Sequence, residues 1–351
     1  MFKGKKIAIL GFGMEGRDLV HYLLKEEAII TVFDKKPGAD LDFSGIDKSR
    51  ITLSTGEGYL EKGLGGFDYI FRSPGVYRYI SQIVDAEGKG VKISSAIALF
   101  FELCPAKIIG VTGTKGKGTT SSLIYEILKG AGRDVYLAGN IGVPYLELLP
   151  KLSKDSWVVL EISSFQLIDM QVSPHIAVVL NITQDHLDWH KDLDEYIASK
   201  KNIVKHQNSN DFAVVNVDYE VPESFSSLTK AEVFYFSREK KVKGSYCLEG
   251  KIYLSTQGET CLGEAKEVLL KGEHNLENIT AASAVGGILD ISLETIWKAV
   301  CSFKGLEHRL ELVGRVKGIT FYNDSFATGP QPTIAAIKSF AEPLTVILGG
   351  S

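Results

Sequence analysis

Residues 108–120, IIGVTGTKGKGTT, have the composition and order of a loop that binds phosphate groups. An apolar, β-branched run leads into a glycine-rich loop that holds Lys117, and the following SSLIYEILKG has the apolar spacing of a helix. Backbone N–H groups, the positive end of the helix and the lysine ammonium together attract a triphosphate. We therefore predict a site for nucleotide phosphates. Its predicted residues are Gly113, Thr114, Lys115, Gly116, Lys117, Gly118 and Thr119.

This loop departs from the strict phosphate-loop pattern at two positions. Val111 occupies the place of the first glycine, and Gly118 follows the lysine where Ser or Thr would hold Mg²⁺. Thr119 or Thr120 could replace that hydroxyl, and the sequence leaves the choice open. The alternative interpretation is a glycine-rich turn with an incidental lysine.

Two later apolar runs end in side chains of the types that bind metal ions. WVVLEISSFQL places Glu161 at the end of a buried-type strand, and IAVVLNITQDHLDWH places Asp185, His186 and Asp188 after another. A carboxylate that closes an apolar strand is costly unless it is paired or binds a metal. We predict that Glu161 and His186 bind Mg²⁺ together with ATP. The alternatives are a carboxylate that caps the next helix and a structural histidine.

A second glycine-rich turn lies near the N-terminus. GFGMEG at residues 11–16 follows the first predicted strand, and Asp34 closes the next one. This spacing is typical of a turn that binds the diphosphate of a dinucleotide, and a UDP-sugar would suit it equally well. SPG at residues 73–75 ends another strand and could add backbone donors. For both turns, the alternative is a tight turn without a ligand.

Short apolar runs around these motifs predict an α/β fold. Strand and helix patterns alternate through the first third of the chain and again from residue 107, which implies parallel sheets covered on both faces. Residues 233–270 instead predict a small antiparallel sheet, and a hairpin and a helix follow residue 305. We predict a Rossmann-like N-terminal domain at residues 1–100, a central P-loop-type ATP-binding domain at residues 101–305, and the start of a C-terminal α/β domain at residues 306–351.

The strands of the first set are predicted at residues 7–10, 29–34, 69–72 and 91–93, and its helices at residues 16–25 and 77–87. The second set is predicted to start with a strand at residue 107 and to continue with strands at residues 135–138, 157–162, 176–182 and 212–217.

Composition excludes several classes of protein. A net charge of −4 does not favour nucleic acid or an anionic membrane as a partner. The four cysteines lie far apart in sequence, which fits a reduced, cytoplasmic protein. No apolar run approaches the roughly 18 residues of a membrane span.

The last residues, AEPLTVILGGS, are typical of a strand followed by a glycine turn. In α/β folds the functional loops follow the carboxyl ends of strands. We therefore expect the sequence to be a fragment that stops within its third domain, and we expect this fragment to be inactive in catalysis.

The whole chain resembles the Mur ligases, because their motifs occur here in order. It is most similar to the branch that adds D-glutamate to UDP-N-acetylmuramoyl-L-alanine, since LEISSFQL differs in the sibling enzymes. The motifs are GFGMEG, SPG, GTKGKGTT, GNIG, LEISSFQL, NITQDHLDWH, YIASK, HNLEN, GLEHRLE and NDSFAT. The resemblance implies a monomeric ligase of peptidoglycan precursor synthesis that uses ATP, Mg²⁺ and an acyl-phosphate intermediate.

The resemblance also implies roles for individual residues. Lys200 lies on a helix face that the residues alone would place in solvent, but it matches a lysine that is carbamylated by CO₂. The implied catalytic residues are Lys117, Asn140, Glu161, His186 and Lys200, of which Glu161, His186 and Lys200, with Thr119, would bind Mg²⁺. Asn275, Asn278, Arg309 and Asp324 would line the ATP pocket. The UDP substrate would contact Gly11, Gly13, Met14, Glu15, Gly16, Asp34, Lys35, Ser73, Pro74 and Gly75.

Some positions depart from the family pattern. Lys115 stands where the family often has Asn, and Phe326 stands where some relatives have Lys. The alternatives to this assignment are a sibling or folylpolyglutamate-type ligase with another amino-acid acceptor, an NAD-dependent oxidoreductase that uses the first glycine turn, and a nucleotide-binding module without catalysis.

Overall fold

The computed structural model describes residues 1–140, 142–186, 188–327, 329–340 and 342–349. These residues form a five-stranded sheet, a nine-stranded sheet and a two-stranded hairpin, with helices between the strands. The predicted α/β class is therefore confirmed. Ile141 of GNIG, Thr328 of NDSFAT and the final Gly350 and Ser351 lie outside the described residues.

The five-stranded sheet is parallel and has the order β3-β2-β1-β4-β5. Its central strand β1 is apolar and buried on both faces, so the turns that follow β1 and β4 lie side by side at the carboxyl edge. Its elements are β1 (Lys6–Leu10), α1 (Met14–Lys25), β2 (Ile29–Asp34), β3 (Ile51–Thr55), β4 (Tyr69–Arg72), α2 (Ser81–Gly88), β5 (Lys92–Ser94) and α3 (Ala96–Leu103).

The nine-stranded sheet has the order β14-β13-β12-β11-β10-β9-β6-β8-β7. Its seven strands from β6 to β12 are parallel to one another, and the buried strands β9, β6 and β8 are adjacent to one another in the sheet. The elements up to β10 are β6 (Lys107–Thr112), α4 (Lys117–Gly130), β7 (Val135–Gly139), β8 (Trp157–Glu161), α5 (Ser164–Leu167), β9 (Ile176–Val179), α6 (Leu193–Lys205) and β10 (Phe212–Asn216). Those that follow are α7 (Glu220–Glu223), β11 (Glu232–Ser237), β12 (Gly244–Leu248), β13 (Lys251–Ser255), β14 (Thr260–Glu264), α8 (Glu273–Ile288) and α9 (Leu293–Ser302).

The predicted antiparallel strands are present, but they are continuous with the larger sheet. β12, β13 and β14 pair antiparallel, whereas β11 pairs parallel with both β10 and β12. Because β11 and β12 are parallel neighbours, the antiparallel strands extend the nine-stranded sheet at its edge.

One apolar core is shared by the two large sheets. The side chains of α1 and α3 pack with residues that follow β7, and the rings of Phe100 and Tyr145 lie 5.6 Å apart. The predicted boundary near residue 100 falls within α3. It remains a prediction, as does the boundary near residue 305.

The last part of the chain contains the predicted hairpin and helix. β15 (Glu311–Val316) pairs with β16 (Ile319–Asn323), and α10 (Pro330–Lys338) follows. The prediction of a strand after this helix is wrong for the described residues 342–349, because they pair with no neighbouring strand. In the part of the chain that the structure describes, no helix is both long enough and apolar enough to cross a membrane.

Candidate active site

Three neighbouring strands bring the predicted phosphate loop and the predicted metal ligands to one edge of the central sheet. β6 ends at the loop of residues 113–119, which we call the glycine–lysine loop. Glu161 ends β8 and lies in register with Val111 of β6, and Thr112 is in register with Val179 of β9. Parallel strands place their carboxyl ends on the same edge, so the glycine–lysine loop, Glu161 and the segment that follows β9 lie at one edge of the sheet.

Two lysine ammonium groups converge on one backbone carbonyl in this loop. Nζ of Lys117 donates to the carbonyl oxygens of Gly113 and Thr114 at 3.2 and 3.1 Å, and Nζ of Lys200 donates to the same Gly113 oxygen at 3.0 Å. Burial lowers the pKa of Lys117, and the Glu161 carboxylate opposes this shift. The loop therefore holds two potential cations within reach of a bound anion.

Lys200 is buried, which overturns its assignment to a solvated helix face. Lys200 is only 1% exposed, and its Nζ lies 4.7 Å from the centre of the Tyr196 ring. Burial and then the neighbouring Lys117 hold the pKa of Lys200 well below its ordinary value. The environment thus disfavours the ammonium form of Lys200 relative to a lysine in water.

Thr114 ties the glycine–lysine loop to the segment that carries the acidic and histidine side chains. Its hydroxyl donates to the Thr183 carbonyl at 3.0 Å and accepts from the Thr183 N–H at 2.9 Å. The same hydroxyl lies 2.8 Å from the Tyr196 hydroxyl of α6. These contacts hold the glycine–lysine loop, the segment around Thr183 and α6 in fixed relative positions before any ligand binds.

His186 follows β9 in a left-handed backbone conformation, with φ of +54°. Its side chain is 48% exposed, and its ring lies 4.8 Å from that of Phe165. Asp185 lies 3.8 Å from Nε2 of His186 and 3.5 Å from Nζ of Lys115. A non-glycine residue in this region of φ is uncommon and is concentrated at functional sites.

The amide side chains of α8 contact Thr120 of α4, the residue that follows the glycine–lysine loop. Its hydroxyl donates to Oδ1 of Asn278 at 3.1 Å, and Nδ2 of Asn278 donates to Oδ1 of Asn275 at 2.9 Å. Gly116 has φ of +84°, and a side chain there would collide with Asn278. The Asn278 amide therefore supports the shape of the loop.

Arg309 and Asp324 belong to the last part of the chain. Asp324 accepts the N–H of Leu310 at 3.0 Å, and the guanidinium of Arg309 lies 5.2 Å from the ring of Phe326. Both charges act on His274 in the first turn of α8, where burial lowers the histidine pKa. The structure therefore brings these two residues toward the helix that carries Asn275 and Asn278.

A cavity of about 960 Å³ lies at the carboxyl edge of the five-stranded sheet. It is lined by nine of the ten residues that were predicted to contact the diphosphate substrate; they are Gly11, Gly13, Met14, Glu15, Asp34, Lys35, Ser73, Pro74 and Gly75. Gly16 does not line the cavity. It packs so closely against the Gly11 carbonyl that a Cβ at this position would collide with the carbonyl oxygen. Pro144 and Glu147 close the cavity from the other sheet.

The carboxylate of Asp34 organises the cavity's backbone. It accepts the N–H of Phe12 at 2.7 Å and that of Lys36 at 2.8 Å. The Ser73 hydroxyl donates to the Gly11 carbonyl at 2.8 Å, which joins the SPG turn to the glycine turn. Loops held in this way present a preformed wall to a ligand.

Sequence reasoning missed a hydrogen-bond relay that leads from the cavity to the segment that follows β7. Nε2 of Gln166 donates to Oε1 of Glu15 at 2.7 Å, and Oε1 of Gln166 accepts from Nδ2 of Asn140 at 3.4 Å. Gln166 is oriented by a capping box at the start of α5, in which its Oε1 accepts the Ser163 N–H at 2.8 Å. The pattern S-x-x-Q was the available signal for the capping box, but not for its distant partner.

Asp18 of α1 is a buried carboxyl beside the cavity. It is 5% exposed and accepts the N–H of Leu146 at 2.9 Å. Burial raises the pKa of Asp18 from 3.8 to about 6, and the Leu146 N–H opposes the shift. The folded protein therefore holds this proton more tightly than the unfolded chain.

Asp18→Asn is expected to remove part of the pH dependence of stability. In the unaltered protein, the free energy of unfolding should fall by at most ~3 kcal/mol as the pH rises from about 4 to about 6. The reason is that burial disfavours ionised Asp18 in the folded state but not in the unfolded chain. The asparagine still accepts the Leu146 N–H but does not ionise. Urea unfolding at several pH values measures how the free energy of unfolding depends on pH in the unaltered protein and in the variant. An identical pH dependence in both proteins would contradict the raised pKa of Asp18.

Two family models match the chain. The Mur ligase MurD-like N-terminal domain matches residues 5–95, and the Mur ligase middle domain matches residues 111–286. A curated relative, the UDP-N-acetylmuramoylalanine–D-glutamate ligase of Acetivibrio thermocellus, is 41% identical over 356 aligned positions, which cover 99% of this chain and 75% of the relative. The resemblance inferred from the motifs is thereby confirmed.

Solved structures of Mur ligases share the fold. The UDP-N-acetylmuramate–alanine ligase of Thermotoga maritima superposes with a TM-score of 0.58 at 19% identity, covering 95% of this chain and 77% of that one. The MurF ligase of the same organism, solved in complex with ADP, gives 0.55 at 20% identity and covers 96% and 72%. With two family models, a relative of this identity and the shared fold in agreement, the chain belongs to the Mur ligase family.

Proposed function

We propose that this chain binds UDP-N-acetylmuramoyl-L-alanine in the cavity of the five-stranded sheet and ATP at the glycine–lysine loop. We further propose D-glutamate as the amino acid that is joined to the UDP substrate in peptidoglycan precursor synthesis. The observation that carries this proposal is the position of two glycine-rich turns at the carboxyl edges of two different sheets, one beside the cavity and one beside Lys117. The name of the curated relative supports the choice of substrates.

The proposed reaction has two steps. A carboxylate oxygen of the UDP substrate attacks the γ-phosphorus of ATP, the bond to the bridging oxygen breaks, and ADP leaves. The amine of D-glutamate then attacks the acyl phosphate, loses a proton and displaces inorganic phosphate to give the amide. Lys117 would bind the transferring phosphoryl group and stabilise the charge on its oxygens.

The residues at this edge of the sheet fit a hard divalent cation. Glu161 supplies a carboxylate, His186 an imidazole and Thr119 a hydroxyl; the Thr120 hydroxyl already donates to Asn278, so Thr119 is the better candidate. Within the described residues, no group of three His, Cys, Asp or Glu side chains could hold a metal alone. Phosphate oxygens and Lys200 would complete the set. Mg²⁺ bound there would neutralise phosphate charge.

Lys200 suits this set as a carbamate rather than as an ammonium. Burial lowers the pKa of Lys200, which raises the fraction of the uncharged amine, the form that reacts with CO₂. The amine nitrogen forms an N–C bond to CO₂ and loses one proton, and the product carries anionic oxygen of the kind that Mg²⁺ prefers. The carbamate would place an anion beside Lys117, where an ammonium would be repelled.

The remaining sites complete the proposal. Asn140 would contact the UDP substrate, because it lies at the end of the relay. Asn275, Asn278, Arg309 and Asp324 would surround the nucleotide of ATP beside the first turn of α8. The four cysteines are unpaired thiols, which supports a reducing cytoplasmic location, and we propose a monomer.

A panel of nucleotide ligands tests the proposal. We expect UDP-N-acetylmuramoyl-L-alanine to bind at least about tenfold more tightly than UDP-N-acetylmuramate, which lacks the alanine, because a mismatched group typically changes affinity by about 1–3 kcal/mol. NAD⁺ should not bind. Calorimetric titration measures each affinity. Preference for UDP-N-acetylmuramate would indicate a sibling ligase, and tight NAD⁺ binding would restore the oxidoreductase alternative.

A further inference from the structure

A buried arginine connects the two sheets beside the substrate cavity. Arg72 ends β4, immediately before the SPG turn, and its side chain is 0% exposed. Its guanidinium reaches the central domain, where Nε donates to Oδ2 of Asp169 at 2.7 Å and Nη2 donates to the Phe165 carbonyl at 2.6 Å. Its Nη1 turns back and donates to the carbonyls of Ser73 and Val76 at 3.1 and 2.7 Å.

These contacts join functional segments that are distant in sequence. Ser73 and Val76 line the cavity, and Phe165 belongs to α5, which begins shortly after Glu161. The guanidinium is a planar fork with donors in fixed directions, so one side chain sets the relative position of all its acceptors. The carboxylate of Asp169, which is 5% exposed, compensates the buried charge.

We propose that Arg72 is a positioning residue for the UDP substrate. Arg72 fixes residues 73–76, which line the cavity, against α5. It thereby positions the bound substrate so that the substrate carboxylate lies near the end of β8, the strand that carries Glu161. This inference rests on the proposed function, because it assumes that the UDP substrate occupies the cavity.

Arg78 offers a matched control. Its Nε lies 2.7 Å from Oδ1 of Asp169, and its Nη2 donates to Glu87 at 2.7 Å. Among the described residues, Arg78 makes no hydrogen bond to residues 73–76 or to Phe165. Removal of Arg72 or of Arg78 therefore deprives Asp169 of a cationic partner, but only removal of Arg72 frees the turn.

The experiment compares Arg72→Met with Arg78→Met. We expect Arg72→Met to weaken binding of UDP-N-acetylmuramoyl-L-alanine by about tenfold or more, which is the loss of roughly one or two hydrogen bonds. ATP affinity should stay within about twofold, because Arg72 does not contact the glycine–lysine loop. Arg78→Met should leave both affinities within about twofold. Calorimetry gives the affinities, and thermal unfolding of each variant reports its stability.

Arg72→Lys provides a second variant in case the methionine variant does not fold. Lysine keeps the charge near Asp169 but cannot span the turn and the Phe165 carbonyl together, so we expect at least about threefold weaker UDP-substrate binding at unchanged ATP affinity. Equal losses in Arg72→Met and Arg78→Met, or equal losses of both ligands in one variant, would overturn the positioning role. Failure of the unaltered protein to bind the UDP substrate would overturn the proposed function and this inference together.

Discussion

Lys117→Ala is expected to weaken ATP binding by roughly a hundredfold while the affinity for UDP-N-acetylmuramoyl-L-alanine stays within about twofold. Lys117 begins α4 and is held toward the glycine–lysine loop by the carbonyls of Gly113 and Thr114. Its ammonium would make charge-assisted bonds to the phosphates, and alanine removes them. The UDP substrate would bind at the other sheet, so its affinity should be insensitive to the change. Calorimetric titration with each ligand measures the difference.

The matched control is Lys129→Ala at the other end of the same helix. Lys129 is 59% exposed and lies 3.7 Å from Glu126, a surface pair that contributes little to stability. Both affinities should be unchanged in this variant. If Lys117→Ala lowered both affinities together in a folded protein, the assignment of two independent sites would be wrong.

Lys200→Ala is expected to remove a carbamate and to lower the affinity for ATP in the presence of Mg²⁺ by at least about tenfold. In buffer equilibrated with ¹³C-bicarbonate, the unaltered protein should show a carbamate carbon resonance that the variant lacks. Added acetate should partly restore the ATP affinity, because it can supply the missing anionic oxygen. The nuclear magnetic resonance spectrum and the titration test these two consequences separately.

Lys201→Ala is the control for this prediction. Lys201 is the next residue of α6 and is only partly buried, whereas Lys200 is enclosed by the loop and Tyr196. The Lys201 variant should keep both the resonance and the affinity. A resonance that survives in Lys200→Ala, or a full ATP affinity without it, would return Lys200 to a structural role.

Local patterns predicted most of the strands and the positions of the two glycine-rich turns. A glycine turn after an apolar strand fixes its own place at the carboxyl edge of a parallel sheet, so residues 11–16 and 113–119 could be positioned from sequence alone. β3 was missed because it is an edge strand with no fully buried residue, so it lacks an apolar signal. The apolar run of α3 is too short to distinguish a helix from a strand.

Contacts between distant segments could not be predicted. The burial of Lys200 depends on a carbonyl 87 residues away, and helical periodicity alone placed the side chain in solvent. The contact between Arg72 and Asp169 spans 97 residues, and that between Gln166 and Glu15 spans 151. These pairs depend on how the two sheets pack against each other. Each residue alone has the ordinary appearance of a surface polar group.

The proposed function requires one chain to hold two different nucleotides at once. Titration of UDP-N-acetylmuramoyl-L-alanine into the protein with and without saturating ATP and Mg²⁺, followed by the reverse order of addition, tests this requirement. We predict that each ligand binds with one-to-one stoichiometry whether or not the other is present. Competition, in which saturation with one ligand abolishes binding of the other, would show that the cavity and the glycine–lysine loop are not separate sites.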